Sequence, residues 1–551
     1  MKKTLAFILT ICFLLNTAFS QTTEIKSILN NVNADAIKGT MTFLSDDLLE
    51  GRQPGTRGFL LASKYMETQF ISLGLKPLIK NTSYIQKVPL SRGVIDEAGC
   101  SFVINVNGKE EKLTYGKEFS LSPSFASQTS EVSAPLVFVG YGIYAPAFNY
   151  DDYKTIDVKG KIVVYMSGAP KQLPTSERAY YTTAAAKYKE AIKRGAIGVL
   201  SFSVPAANTP STGNVANTAA RRAPRPTYKW VNEQDAVADS YPELKVFGGI
   251  ITQYLEKFFV NAPATVQKIY ELAKEGKSLS FPLNVTATIY TKTDTKPVES
   301  SNVVGYIEGS DPKLKNEYIV YSAHLDHLGI GVPVKGDSIY NGAHDDASGN
   351  AILLEVIKAY RSLPTAPKRS IIFAAVTGEE LGLLGSDYLV NNFPIANGKI
   401  VANLAIDMPF FFHPVLDIVP YGADHSSLGK QTERAAKELG LKISPDPFPE
   451  QVVFIRSDHY SFIKKGIPAL FIKSGFMTVP SDTVNRARTD VEWRTSPYHK
   501  PGDYMSQPFD FNGASLHAKV NFLIGYYVSM EQQSPSWNKG DFFGQLFARK
   551  D

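Results

Sequence analysis

Histidine is missing from the first 300 residues of this 551-residue chain. All eight (His324, His327, His344, His413, His425, His459, His499 and His517) lie beyond that point. A random scatter would rarely do this, so metal or acid–base chemistry is confined to the last part of the chain. Cysteine is almost as scarce. Of the two, Cys12 lies in the N-terminal leader and Cys100 would stand alone in a mature chain, which excludes an internal disulfide and leaves stability to the core. Charge of one sign is not massed anywhere. The net charge of +5 is small for this length, and no basic stripe marks a nucleic-acid surface. Past the N-terminus there is no apolar run long enough for a membrane helix.

The N-terminus itself, MKKTLAFILTICFLLNTAFS, has two lysines, a short apolar run and small residues at its end. This is the pattern of a secretory signal peptide over residues 1–20, cut before Gln21. The expected protein is exported, to the periplasm or beyond, with no integral membrane segment in the mature chain.

Hydrophobic residues make up 44% and aromatics 11%, enough for a large core, and the length exceeds one ordinary domain. Residues 21–92 read as helices on either side of a Pro-Gly break. From residue 93 strands take over. CSFVINVNGKEEKLTYG reads as a hairpin turning at Asn-Gly. APLVFVGYGI and GKIVVYMSG read as short buried strands, and YYTTAAAKYKEAIKRGAIGVLSF as a helix leading through Gly195 into another strand. FPLNVTATIYTKTDTKPV alternates as a strand should. The tract from Ser203 to Trp230, rich in Pro, Ala, Thr and Asn, has no periodicity and reads as a surface loop. After residue 292 apolar strands alternate with amphipathic helices, which implies an α/β sheet. In such sheets chemistry collects at the C-terminal strand ends. Residues 536–551 form a tail.

Five short stretches place acids or histidines at such ends. They are YIVYSAHLDH with His324 and Asp326, NGAHDDASGN with Asp345 and Asp346, TGEE with Glu379 and Glu380, ANLAIDMP with Asp407, and SPYHKPGDYM with His499 and Asp503. Each has a bland reading: a structural histidine, a helix cap, acids on a helix dipole, a strand terminator, a surface residue. Those readings leave the coincidence of all five unexplained. Carboxylates massed at one edge repel unless something positive sits among them, and histidines with carboxylates suit zinc.

Taken together, HLD, GAxDDxSG, TGEE, DM and YHxxxD resemble the co-catalytic di-zinc exopeptidases, the family of bacterial leucyl aminopeptidases and glutamate carboxypeptidase. The resemblance covers residues 30–90 and 300–530. APLVFVGYGI, VKGKIVVY and AIKRGAIGVLSF make residues 93–291 look like an inserted, β-rich protease-associated domain, between a helical part at 21–92 and a catalytic part at 292–535. The fold this implies is α/β, a mixed central sheet flanked by helices. The implied cofactor is two zinc ions. Asp345 would bridge them, His324 and Asp407 would complete one, and Glu380 and His499 the other. Glu379 would be the general base. Asp326 and Asp346 would stand behind the ligands, Asp326 hydrogen-bonded to His324. Tyr498 would steady the tetrahedral intermediate. His459, in RSDHYSF, competes with His499 as a ligand; the YHxxxD match favours His499 and leaves His459 lining the pocket. His327, His344, His413 and His425 are read as pocket or structural residues, and His517 as structural. Pro409, where the family often has glycine, departs from the pattern beside Asp407.

The adjacent acids Glu379 and Glu380 then have separate tasks, one holding metal and the other free beside the same water. The expected protein is an exported zinc aminopeptidase acting on peptides. A carboxypeptidase or dipeptidase on the same scaffold is the alternative. Glutaminyl cyclase fits less well because those enzymes usually bind one zinc and lack the inserted domain, and a binding protein on an inactive scaffold fits less well because every ligand position and the base are filled.

Overall fold

The computed structural model describes residues 24–204, 226–482 and 484–547. The leader over 1–20, most of the Ser203–Trp230 tract and the end of the tail lie outside the described residues.

The C-terminal region is built on a mixed sheet. Strands Glu317–His324, Ser370–Val376, Lys399–Ala405 and Ala469–Ser474 are parallel neighbours. Antiparallel strands flank them on both sides, Asp417–Tyr421 at one end and the end of Ser280–Ile307 at the other. The parallel strands are apolar throughout because helices cover both faces. In Glu317–His324, Ile319, Tyr321 and Ala323 enter one buried cluster while Tyr318 and Val320 enter the opposite one, as strand alternation requires. Helix Ser348–Arg361, whose pattern reads as amphipathic, is buried on nearly all sides. The reason is its position between the sheet and helices Ala34–Leu44 and Phe511–Met530. Its one buried acid, Glu355, accepts the Asn33 N–H at 2.8 Å.

The middle region has its own core. Strands Thr129–Val139, Ile162–Met166, Gly198–Phe202 and Val246–Ile250 run parallel in that order, with helices Thr175–Thr182 and Ala184–Lys193 between the second and third. The Asn-Gly hairpin joins Ser101–Val106 to Lys109–Lys112, with Asn107 and Gly108 at φ +53° and +83°, the left-handed pair that a two-residue turn demands.

One strand belongs to both regions. Ser280–Ile307 is 28 residues long. Its first half pairs with Ser101–Val106 and Thr129–Val139, its second with Ile85–Ile95 and Ser370–Val376. The boundaries read at 92/93 and 291/292 fall inside these strands, which run through Gly93 and Pro297 without a break. Among the described residues no helix is long and apolar enough to cross a membrane.

Candidate metal centre

Because Glu317–His324, Ser370–Val376 and Lys399–Ala405 run parallel, their C-terminal ends share one edge. His324 is the last residue of the first strand. Glu379 and Glu380 follow the second across a turn at Gly378, whose φ of +67° is one most side chains avoid. Asp407 lies just past the third. Asp345 and Asp346 sit in the turn before helix Ser348–Arg361, joined by a cis peptide. That helix starts hard against them. A Cβ on Gly349 would lie 2.3 Å from both the Asp346 carboxylate and the Ile406 carbonyl, so glycine is required there.

The side chains form two groups of potential ligands. In the first, His324 Nε2 lies 3.0 Å from Asp345 Oδ1 and 3.8 Å from Asp407 Oδ1, and Asp346 offers an oxygen within 4.8 Å of the His324 and Asp407 donors. In the second, His499 Nε2 lies 3.2 Å from Asp345 Oδ2 and 3.0 Å from Glu380 Oε2. His327 Nδ1 lies 2.8 Å from Glu380 Oε1 and 3.9 Å from Asp345 Oδ2. Asp345 faces one group with each oxygen.

These atoms are close without being bonded to one another. His324 Nε2, His327 Nδ1, Asp345 Oδ2, Asp346 Oδ2, Glu380 Oε1 and Asp407 Oδ1 are buried and make no hydrogen bond. Buried polar atoms are nearly always paired. Unpaired nitrogens and carboxylate oxygens that converge at these separations fit a shared divalent cation, and imidazole with carboxylate is a donor set that zinc accepts.

The electrostatics agree. Burial pushes Glu379 well above the usual carboxylate range, with Asp407, Glu380 and Asp458 adding to the rise against His324. Burial likewise raises Asp326 to about 6 and Asp346 far above its ordinary value. Burial alone would lower His499, but Glu380 and Asp345 hold it up to about 10. Without positive charge among them, these carboxylates can stay buried only by keeping protons.

Other groups hold the acids in place. The Asp503 carboxylate accepts the N–H groups of His344 at 2.9 Å and Asp345 at 3.0 Å. Asn350 donates to the His324 carbonyl at 2.6 Å. Arg52, fully buried behind the site, donates to the carbonyls of Leu325, Asn341, Gly342 and Leu44. Burial lowers its pKa to about 10, and the carboxylates around it oppose that fall.

His324, Asp345, Glu380, Asp407 and His499 are thus brought together, with Asp346 and Glu379 beside them. Three other candidate residues sit in ways the sequence did not reveal. Asp326 does not bind His324 through its carboxylate. His324 Nδ1 meets the Asp326 backbone carbonyl at 3.1 Å, while the carboxylate accepts the N–H groups of Glu379 at 3.1 Å and Glu380 at 3.3 Å, fixing the paired acids from behind. His459 is fully buried between Phe454 and Phe471, because its helix turns it into the core, and burial lowers it to about 4. Tyr498 stacks on the His499 ring, centroids 3.8 Å apart, so what the structure shows is a brace for that imidazole.

Arg52 and Asp458 escaped the sequence reading, and His327 was read there only as a pocket or structural residue. Asp458 is buried with neither oxygen hydrogen-bonded, and burial raises it to about 7. The HLDH spacing was a usable signal for His327. Nothing in the local sequence marks Arg52, whose role arises from contacts with distant loops. His344 is enclosed by Phe410, Phe411, Phe412, Trp493 and Phe509. His425 pairs with Asp541 at 2.7 Å, and His517 bonds Ser474 at 2.8 Å.

Residues 302–522 match peptidase family M28. Among curated relatives, a probable zinc metalloprotease of Pyrenophora tritici-repentis is 26% identical over 44% of this chain and 59% of its own length. A probable leucine aminopeptidase 2 of Aspergillus fumigatus is 29% identical over 40% of this chain and 43% of its own. The chain thus spans less than two thirds of these relatives. Among solved structures, an aminopeptidase from Aneurinibacillus sp. strain AM-1 shares the fold, with a TM-score of 0.51 at 22% identity over 93% of this chain and 97% of that one.

Proposed function

We propose, from the premise that residues 302–522 belong to peptidase family M28, that the protein is an exported zinc-dependent aminopeptidase acting on peptides. One observation carries the reading: the convergence of unpaired buried imidazole and carboxylate atoms at the ends of three parallel strands, with Glu379 beside them.

Two zinc ions would be held by His324, Asp345 and Asp407 and by Asp345, Glu380 and His499. When bound, such ions acidify water and polarise a peptide carbonyl. Glu379 is not among the holding groups, so its carboxylate is free to take a proton from the attacking water and return it to the leaving amine. The turn at Gly378 and the Asp326 carboxylate keep Glu379 and Glu380 apart in task by fixing both backbone N–H groups. Asp503 does the same for Asp345. Tyr498 keeps the His499 ring from turning.

Residues 1–20 support export, and the middle region is read as a protease-associated domain. The test is a panel of fluorogenic aminoacyl amides and short peptides, blocked at either end, with and without chelator. Cleavage that needs a free amine and disappears with chelation supports the reading. Cleavage that needs a free carboxylate makes the protein a carboxypeptidase. Activity unaffected by chelation overturns the metal. Export is tested separately by fractionating cells that express the full chain.

A further inference from the structure

His327 directly follows Asp326 in the chain, closing the run HLDH, and its side chain is fully enclosed. Its Nδ1 is 2.8 Å from Glu380 Oε1, yet neither ring nitrogen makes a hydrogen bond. A histidine that merely oriented Glu380 would point a hydrogen at it. Here His327, Asp345 and Glu380 each offer a ligand atom, all within 4.8 Å of one another, and His499 Nε2 lies 3.2 Å and 3.0 Å from the same two carboxylates. The distance from His327 Nδ1 to Asp345 Oδ2 is 3.9 Å, and the two imidazole rings stand 5.9 Å apart at 63°, approaching from different sides. The backbone is held for this, since the His327 N–H donates to the Arg52 carbonyl at 3.2 Å.

We infer that His327 is a metal ligand of the Glu380 and His499 group. The inference rests on the zinc reading above and divides its two positions. The second group then has two imidazoles and two carboxylates, and the first a single imidazole among carboxylates. Imidazole suits zinc, whereas oxygen-rich sets also accept magnesium or manganese. The two positions are therefore unequal, and the one at His327 holds zinc more tightly.

The test uses metal-free full-length protein titrated with zinc, with binding read by calorimetry and elemental analysis. His327→Ala should weaken one of the two ions by more than ~100-fold, the upper end of what losing an outer hydrogen-bond partner costs, and leave the other unchanged. His327→Cys loaded with cadmium should show a thiolate-to-metal charge-transfer absorption absent from the wild type, in which Cys100 serves as its own control. No band in that variant, or an affinity loss within ~100-fold, overturns the assignment. Wild-type protein that binds no zinc overturns the zinc reading itself. Two ions held equally by wild type and His327→Ala overturn His327 alone.

Discussion

The middle and C-terminal regions both bury charge, and they treat it differently. In the middle, the Asp152 carboxylate accepts the N–H groups of Tyr141 and Ile143 at 3.0 Å each, the Tyr150 hydroxyl at 2.8 Å and the Ser278 hydroxyl. Lys187, equally buried, donates to the carbonyls of Tyr141, Gly168 and Met166. Every polar atom of these two side chains is met. At the sheet edge of the C-terminal region, acids and imidazoles of comparable burial are left without partners. Satisfied buried charge braces a fold, whereas convergent unsatisfied charge is directed at something outside the chain.

If that contrast is sound, substitutions in the two places should fail in opposite ways. The largest effect belongs to Glu379. Glu379→Ala should lower kcat by about 10²–10⁴-fold, the usual worth of a general base, while zinc content and melting temperature stay near wild type. Loss of zinc from this variant, with zinc retained by Glu380→Ala, would reverse the two roles. Lys187→Met should do the converse. It leaves three buried carbonyls short of a donor, an expected loss of roughly 3 kcal/mol, read by urea unfolding, with kcat of the folded fraction unchanged.

Lys187 also has a pH signature. Burial lowers it to about 7, below the ~10.4 of an exposed lysine. Between those values the unfolded chain holds a proton that the folded chain has released, so this group's contribution makes stability rise with pH. Below pH 7 both states are protonated and the slope vanishes. The stability gap between wild type and Lys187→Met should widen from pH 7 to pH 10, and a constant gap would show that the carbonyls keep the ammonium charged. Asp326→Asn comes next. The amide can accept with only one of the two oxygens now used by Glu379 and Glu380, and kcat should fall ~10–100-fold, the range for an outer partner, with the fold intact. The smallest effect is at the seam between the regions, where Trp230 donates to Asp387 at 2.8 Å. Trp230→Phe should cost about 1 kcal/mol; if it also separates one unfolding transition into two, the regions are independent folding units.

Much of the site was legible because the chemistry coincides with places where the local pattern changes. His324, Glu379 and Asp407 each follow an apolar run, and the topology of parallel strands does the rest. The helix at Ser348 was legible too, but its full burial was not, since the covering helices come from both ends of the chain. What stayed hidden depends on long-range approach. Arg52 meets Leu325 and Asn341 across about half of the sequence. Asp326 could be seen near His324, but not that its carboxylate would turn to the Glu379 turn instead. His459 has telling neighbours in sequence, but its burial beside Phe454 and Phe471 depends on chain segments that its own helix does not reveal.

The strand Ser280–Ile307 has a consequence for how the protein is made. Ile85 is paired with Val303, so this part of the sheet cannot zip until everything between them has been synthesised. Closing so long a loop is entropically slow, and a middle region that folded first would shorten it by bringing its two ends side by side. A nascent chain released before residue 303 would display Ile85–Ile95 as an unpaired edge, open to pairing with another chain.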